Sequence, residues 1–214
     1  MSNLEDFKET EYKYDATNIE LKDFNELLTK MSIEEQKKTD LLEVSSWDIY
    51  YTKQKTFKEE RDLFMRFRRG LSPELTIKKK LNDKNNFDRV EVNLKLENDD
   101  IKSVDATAEL LGFKENFRIH KACWIYYFEH VDIVYYIVHD ENMKEKYRFL
   151  EIEFLEHVEG FSTEEKLNIL NSYEKKLDSL GINAYKRMKR SLFEIFRKET
   201  NGSEKKKNGT KKKG

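Results

Sequence analysis

The chain has 214 residues and one proline, which suits one sizeable core and leaves few places for an internal linker. Charged residues (39%) outnumber hydrophobic ones (37%), yet 14 Phe and 11 Tyr supply large burial per residue, so a disordered chain is excluded. The net charge of −1 hides an asymmetry, because residues 199–214 carry six lysines against two glutamates. They read as a disordered basic tail behind a folded domain at 1–198, and any contact with nucleic acid is expected only through that tail.

No apolar run is long enough for a membrane span, the N-terminus lacks a signal-peptide core, and Cys123 is alone. A soluble, cytoplasmic protein in a reducing compartment is therefore expected, with no membrane partner. Asn201 and Asn208 stand in chance glycosylation sequons.

In chain order, Glu9-Thr10-Glu11-Tyr12-Lys13 reads as a first strand with Glu9, Glu11 and Lys13 on one face. Ile19, Leu21, Phe24, Leu27, Leu28 and Met31 recur at helical spacing and predict a packing helix over about 18–31. Polar residues 34–38 extend or follow it. Strands follow at 44–52 and 63–68, the second with Leu63, Met65 and Phe67 opposite Arg66 and Arg68. A turn at Gly70 and Pro73 leads to a strand at 75–78, and Asn82 to Asn86 form a loop. Residues 89–97 alternate Val90, Val92, Leu94 and Leu96 with Arg89, Glu91, Asn93 and Lys95.

Asp105 is placed as the N-cap of a short helix ended by Gly112. Three strands are predicted at 117–128, 131–140 and 146–155. Ser162 or Thr163 caps a helix with the stripe Leu167, Leu170, Tyr173, Leu177 and Leu180, and Gly181 stands just past its end. A last helix is predicted from about Asn183 to Arg197, burying Tyr185, Met188, Leu192, Ile195 and Phe196.

About eight strands with few helices predict an α+β fold, an antiparallel closed β-barrel with helices outside. Glu151 and Glu153 share a strand face, as Glu9 and Glu11 do, and four converging carboxylates call for a hard divalent cation such as Mg²⁺ or Mn²⁺. Arg66, Arg68, Lys78 and Lys121 lie on the intervening strands, where a barrel would set them opposite the acids. A polyphosphate with its metal is the ligand this charge pattern suits.

The residues in order resemble the CYTH superfamily, the triphosphate tunnel metalloenzymes. Glu9-x-Glu11-x-Lys13 is similar to the family's ExExK signature, and Asp48-Ile49-Tyr50-Tyr51 to its D-x-Y-Y/F strand. Arg66-Phe67-Arg68 resembles its paired arginines, Leu75 to Lys78 its lysine strand, and Arg89-Val90-Glu91 its R-x-E strand. Phe149-Leu150-Glu151-Ile152-Glu153 matches the closing F-x-E-x-E element, and Ser191 to Ile195 the C-terminal helix. The likeness spans nearly all the chain before the tail. Two positions depart from the pattern: Asn93 stands where the family has a second carboxylate, and Cys123 where K-x-R would place an arginine. Asp140 is similar to the family's acid on the penultimate strand, although an insertion at 141–146 follows it.

The resemblance implies a tunnel in which Glu9, Glu11, Glu91, Glu151 and Glu153 hold Mg²⁺ or Mn²⁺. Lys13, Arg66, Arg68, Lys78, Arg89 and Lys121 would bind the triphosphate. Hydrolysis of inorganic triphosphate, a nucleoside triphosphate or thiamine triphosphate is the expected reaction. Adenylyl cyclase activity and a non-catalytic nucleotide-binding or polyphosphate-binding module are the alternatives, and an oligomer is compatible with either. His120, His130, His139 and His157 show no zinc-ligand spacing along the chain, and Cys123 reads as a structural thiol.

Overall fold

The computed structural model describes residues 10–34, 41–53, 63–80, 89–155, 158, 160–179 and 186–197. Glu9, residues 35–38, the loop at 82–86, Leu180 to Tyr185 and the tail at 199–214 lie outside the described residues. The strands are β1 (Glu11–Asp15), β2 (Leu41–Thr52), β3 (Leu63–Gly70), β4 (Glu74–Lys80), β5 (Arg89–Lys95), β6 (Lys114–Tyr127), β7 (Val131–His139), β8 (Glu145–Phe154) and β9 (Lys186–Arg187). The helices are α1 (Leu21–Glu34), α2 (Ile101–Leu110), α3 (Thr163–Ser179) and α4 (192–197).

The α+β class is as expected, with one nine-stranded sheet among the described residues, ordered β5-β4-β3-β2-β6-β7-β8-β1-β9. The predicted closed barrel is not what these residues form. No pairing joins β5 to β9 among them, so the sheet is open. Alternating side chains specify the faces of a sheet but carry no information on whether its edges meet.

The chain divides into two compact units. Unit 1 takes residues 1–46 and 119–188, and unit 2 takes 47–118 and 189–214. In unit 1, antiparallel pairing runs from β6 through β7 and β8 to β1. One face is apolar: Tyr12, Tyr14, Tyr126, Ile133, Tyr135, Leu150 and Ile152 pack with Phe24, Leu28 and Met31 of α1 and Leu170, Tyr173 and Leu177 of α3. Burying such side chains removes water from apolar surface at about 25 cal/mol per Å², so this layer fixes which face the charges must take. The polar tips of this layer find partners at its margin. Tyr126 donates to Asn25 (2.6 Å), Tyr135 to the Ile19 carbonyl (2.8 Å) and Tyr14 to Glu174 (2.9 Å).

The start of α3 is a capping box, as its sequence predicts. The Glu165 amide donates to Ser162 Oγ, and the Ser162 amide donates to the Glu165 carboxylate.

In unit 2, β3, β4 and β5 form an antiparallel run in which Met65, Phe67 and Leu75 cluster with Val104 and Ala108 of α2 and with Phe113 beyond its end. The N-cap of α2 is Asp100 rather than Asp105, its carboxylate accepting from the amides of Lys102 and Ser103. Asp105 instead accepts from the Tyr51 hydroxyl at 2.7 Å. Gly112, at φ +77°, ends the helix while the Phe113 amide bonds back to the Ala108 carbonyl.

The predicted helix over 183–197 is replaced by two pieces among the described residues. Lys186 and Arg187 pair with Asp15 and Tyr14 as β9, and the Met188 amide donates to the Lys13 carbonyl. A second capping box, Ser191 with Glu194, then starts α4. Its Phe193 is fully buried, stacked on Phe64 at 4.7 Å between ring centroids. Tyr50 stacks on Phe117 at 4.5 Å beside them.

Candidate functional site

Each unit carries its own charged face, opposite its apolar one. In unit 1, strand register builds two adjacent levels. Glu11 pairs with Glu153, and Glu153 pairs with Asp132 on its other side, giving three acids on neighbouring strands. Two residues along, Lys13 pairs with Glu151, and Glu151 with Val134. Paired residues in an antiparallel sheet point to the same face, so the acids and the lysine share one surface. Tyr136, Lys121 and Cys123 belong to it as well, since Cys123 pairs with Tyr136 and alternation brings Lys121 to the same side.

Glu151 is the centre of this group. Lys13 Nζ lies 2.7 Å from Glu151 Oε1 and 3.3 Å from Glu11 Oε1, and the Tyr136 hydroxyl donates to Glu151 Oε1 at 2.8 Å. Lys121 Nζ sits 4.4 Å above the Tyr136 ring. Burial by itself would push the Glu151 carboxyl up, but Lys13 and Lys121 with these hydrogen bonds hold it down at about 2. At neutral pH it is a buried anion between two cations.

In unit 2 the shared face carries Arg66, Arg68, Glu74, Thr76, Lys78, Glu91 and Asn93, set side by side by the pairings Arg66 with Thr76, Thr76 with Asn93, and Lys78 with Glu91. Glu91 forms ion pairs with Lys78 and, at 3.5 Å, with Arg66 Nη2. Arg66 Nη2 also reaches Glu74 (3.2 Å) and donates to Thr76 Oγ1 (2.9 Å), whose oxygen lies 2.9 Å from Asn93 Oδ1. Arg68 Nε donates to the buried Asp48 at 3.1 Å.

Burial lowers the affinity of Arg66 for its proton, yet Asp48, Glu91 and Glu74 outweigh that and keep it charged. Burial, with Asp48 close by, pushes the Tyr50 hydroxyl up to about 12. One donor on this face is left over: Arg66 Nε is buried without a hydrogen-bond partner among the described residues. A buried N–H with no acceptor costs roughly 1–3 kcal/mol, which an anionic oxygen would remove.

The sequence-predicted residues thus fall into two sets. Glu11, Glu151, Glu153, Lys13 and Lys121 gather in unit 1, whereas Arg66, Arg68, Lys78 and Glu91 gather in unit 2, and Arg89 opens β5 opposite Lys80. Glu9 precedes the described residues. Asp140 stands apart from the acid row. Its carboxylate accepts from the amides of Asn142 and Lys144 and pairs with Lys146 at 3.3 Å, holding the β7–β8 turn in which Met143 adopts φ +60°.

The acid on β7 that does join the row is Asp132. Its signal was readable only once the strand register was known, because the long hairpin separates it from Glu153 by 21 positions.

The donor chemistry of the acid row suits a hard divalent ion, which takes carboxylate oxygens. As the side chains stand, no group of three or more carboxylate, imidazole or thiol side chains is arranged to hold an ion among the described residues. Lys13 brings a positive charge to the row through Glu11 and Glu151.

No family model and no curated protein sequence matches the chain. Solved structures do. A conserved hypothetical protein from Pyrococcus furiosus matches with a TM-score of 0.61 at 22% identity, over 87% of this chain and 98% of that one. A protein from Pyrococcus horikoshii matches with a TM-score of 0.60 at 26% identity, over 89% and 99%. A structure from Vibrio parahaemolyticus, named as a candidate adenylate cyclase, matches with a TM-score of 0.58 at 13% identity, over 88% and 97%.

The chain has the CYTH fold. The residues of the ordered motifs from Glu11 to Glu153 lie on the charged faces of this fold, and Asn93 and Cys123 stand on those same faces. No helix among the described residues is long and apolar enough to cross a membrane.

Proposed function

We propose that the chain binds a triphosphate-containing substrate and hydrolyses it with the help of Mg²⁺ or Mn²⁺. The observation that carries this reading is Arg66. A buried, charged guanidinium with an unused Nε–H, beside Arg68 and Lys78, is suited to phosphoryl oxygens. The charged face of unit 1 carries acids of the kind a hard divalent ion takes. Glu11, Glu153 and Asp132, with Glu9 two positions before Glu11, are the carboxylates that would hold the ion. Such an ion polarises phosphoryl oxygens and lowers the pKa of water bound to it.

The chain's own part is binding and charge compensation. Arg66, Arg68 and Lys78 donate to non-bridging oxygens and offset charge on the departing phosphate. Lys13 is held by Glu11 and Glu151 and presents a cation on the charged face of unit 1. Glu151, with its carboxyl held near 2, is too weak a base to take a proton from water at neutral pH. Its role is to hold Lys13 in place by their ion pair.

The test is incubation with tripolyphosphate or ATP and Mg²⁺ or Mn²⁺. Orthophosphate release is expected, lowered at least about tenfold in Asp132→Asn, as for loss of a metal-supporting group, and unchanged in Asp140→Asn. Cyclic AMP from ATP would replace hydrolysis by cyclisation. Tight binding without product would make the protein a binding module, and neither binding nor product would overturn the reading altogether.

A further inference from the structure

Lys80 is a further cation on the charged face of unit 2. It ends β4 two positions beyond Lys78 and four beyond Thr76, so strand alternation sets it on their side of the sheet. Its exposure is 8%, the same as that of Arg66.

The other cations of this face have acids beside them. Lys78 and Arg66 share Glu91, Arg66 also reaches Glu74, and Arg68 bonds to Asp48. Lys80 makes no ion pair or side-chain hydrogen bond among the described residues. Strand register puts no acid opposite it: Lys78 pairs with Glu91, whereas Lys80 pairs with Arg89, a second basic residue.

An ammonium held so far from water without a counter-charge is costly. An anionic oxygen would relieve that cost, as it would for the unused Nε–H of Arg66. The pairings Arg68 with Glu74 and Arg66 with Thr76 put Arg68, Arg66, Lys78 and Lys80 at four successive levels of the face. Cations following one another in this way suit a linear polyanion. A stem that only covers apolar surface, its ammonium turned to water, would be buried to the same extent. The two cases differ in what removing the charge does.

We propose that Lys80 is a phosphate-binding residue, adding a subsite beyond Lys78 for the oxygens at one end of the phosphate chain. This rests on the reading of the face as a triphosphate site, and it extends that site to a residue outside the ordered motifs.

The experiment compares the wild-type chain with Lys80→Met, which keeps a long apolar stem and removes the charge, and with Lys80→Arg. Lys79→Met is the control, at an exposed neighbour on the other face. Tripolyphosphate binding is measured by calorimetry in chelator, so that no metal-dependent step enters, and thermal unfolding is followed without ligand. Lys80→Met should weaken binding about tenfold or more, the loss of one charge-assisted hydrogen bond. The same variant should raise the Tm of the ligand-free protein, because an uncompensated buried charge is gone. Lys80→Arg should retain most of the binding, and Lys79→Met should leave it unchanged.

Unchanged binding in Lys80→Met overturns the proposal. Weakened binding together with a lowered Tm marks a structural lysine and overturns it as well, and so does a wild-type chain that binds no tripolyphosphate. Orthophosphate release with Mg²⁺ judges hydrolysis separately, so binding through Lys80 without turnover refutes the proposed reaction and not this subsite. If Lys80→Met fails to fold, amine labelling of the wild type decides. Tripolyphosphate should slow labelling at Lys80 and not at Lys79, and labelling of Lys80 at the same rate with and without it overturns the proposal.

Discussion

Replacing Glu151 by glutamine removes the anion that Lys13 and Lys121 share, and the effect on stability depends on pH in a way the geometry fixes. Burial raises the Glu151 carboxyl, but Lys13 first and then Lys121 pull it down to about 2 from its ordinary 4.5. A carboxyl lowered in the folded state contributes stability that is complete above the unfolded pKa and is lost as pH falls through the folded one. At 1.36 kcal/mol per unit, the contribution at pH 7 is about 3 kcal/mol.

At pH 3 about 2 kcal/mol of it is gone. Glu151→Gln should therefore unfold at lower urea at pH 7, with a deficit of about 3 kcal/mol that shrinks to between 1 and 2 at pH 3, roughly as linkage requires. Urea unfolding of both proteins at the two pH values measures it. A deficit equal at both pH values would refute the argument, because the loss would then come from packing and not from the charge.

The aromatic cluster of unit 2 gives a second expectation. Phe193→Ala empties a fully buried site stacked on Phe64 and should lower stability by about 3–5 kcal/mol in a denaturant titration. At the start of α2, Asp100→Ala removes the side chain that accepts from Lys102 and Ser103 and should cost about 1 kcal/mol in the same assay. Asp105→Asn should leave the cap intact and cost less, a reversal of the ranking that sequence inspection alone would give.

That ranking shows where the sequence was legible and where it was not. Period-two alternation placed the strands well because each strand has one apolar face, as in Tyr12 and Tyr14 against Glu11 and Lys13. The capping box of Ser162 and Glu165 placed α3 because it is a local contact. Asp100 and Asp105 are equally good caps in isolation. What separates them is a hydrogen bond from Tyr51, 54 positions away, which draws Asp105 elsewhere.

The apolar spacing of Tyr185, Met188 and Leu192 suggested a longer last helix. Lys186 and Arg187 are taken instead by the free edge of β1, a long-range competitor that helical periodicity cannot register. Likewise the ExExK and F-x-E-x-E motifs were visible as text, while Asp132 entered the acid row only through the pairing of β7 with β8.

The two faces of the β6–β8 run also bear on how such a chain can change over time. Charge on one side and aromatic core on the other mean that a single deletion within β7 would send Asp132 and Tyr136 into the apolar layer and expose Ile133 and Tyr135. Length can vary harmlessly only where the strands turn. The Asp140 turn, closed by its own carboxylate and a left-handed Met143, is such a place. Drift in hairpin length would be absorbed there, leaving the acid row in register while its spacing along the sequence wanders beyond what a linear motif can follow.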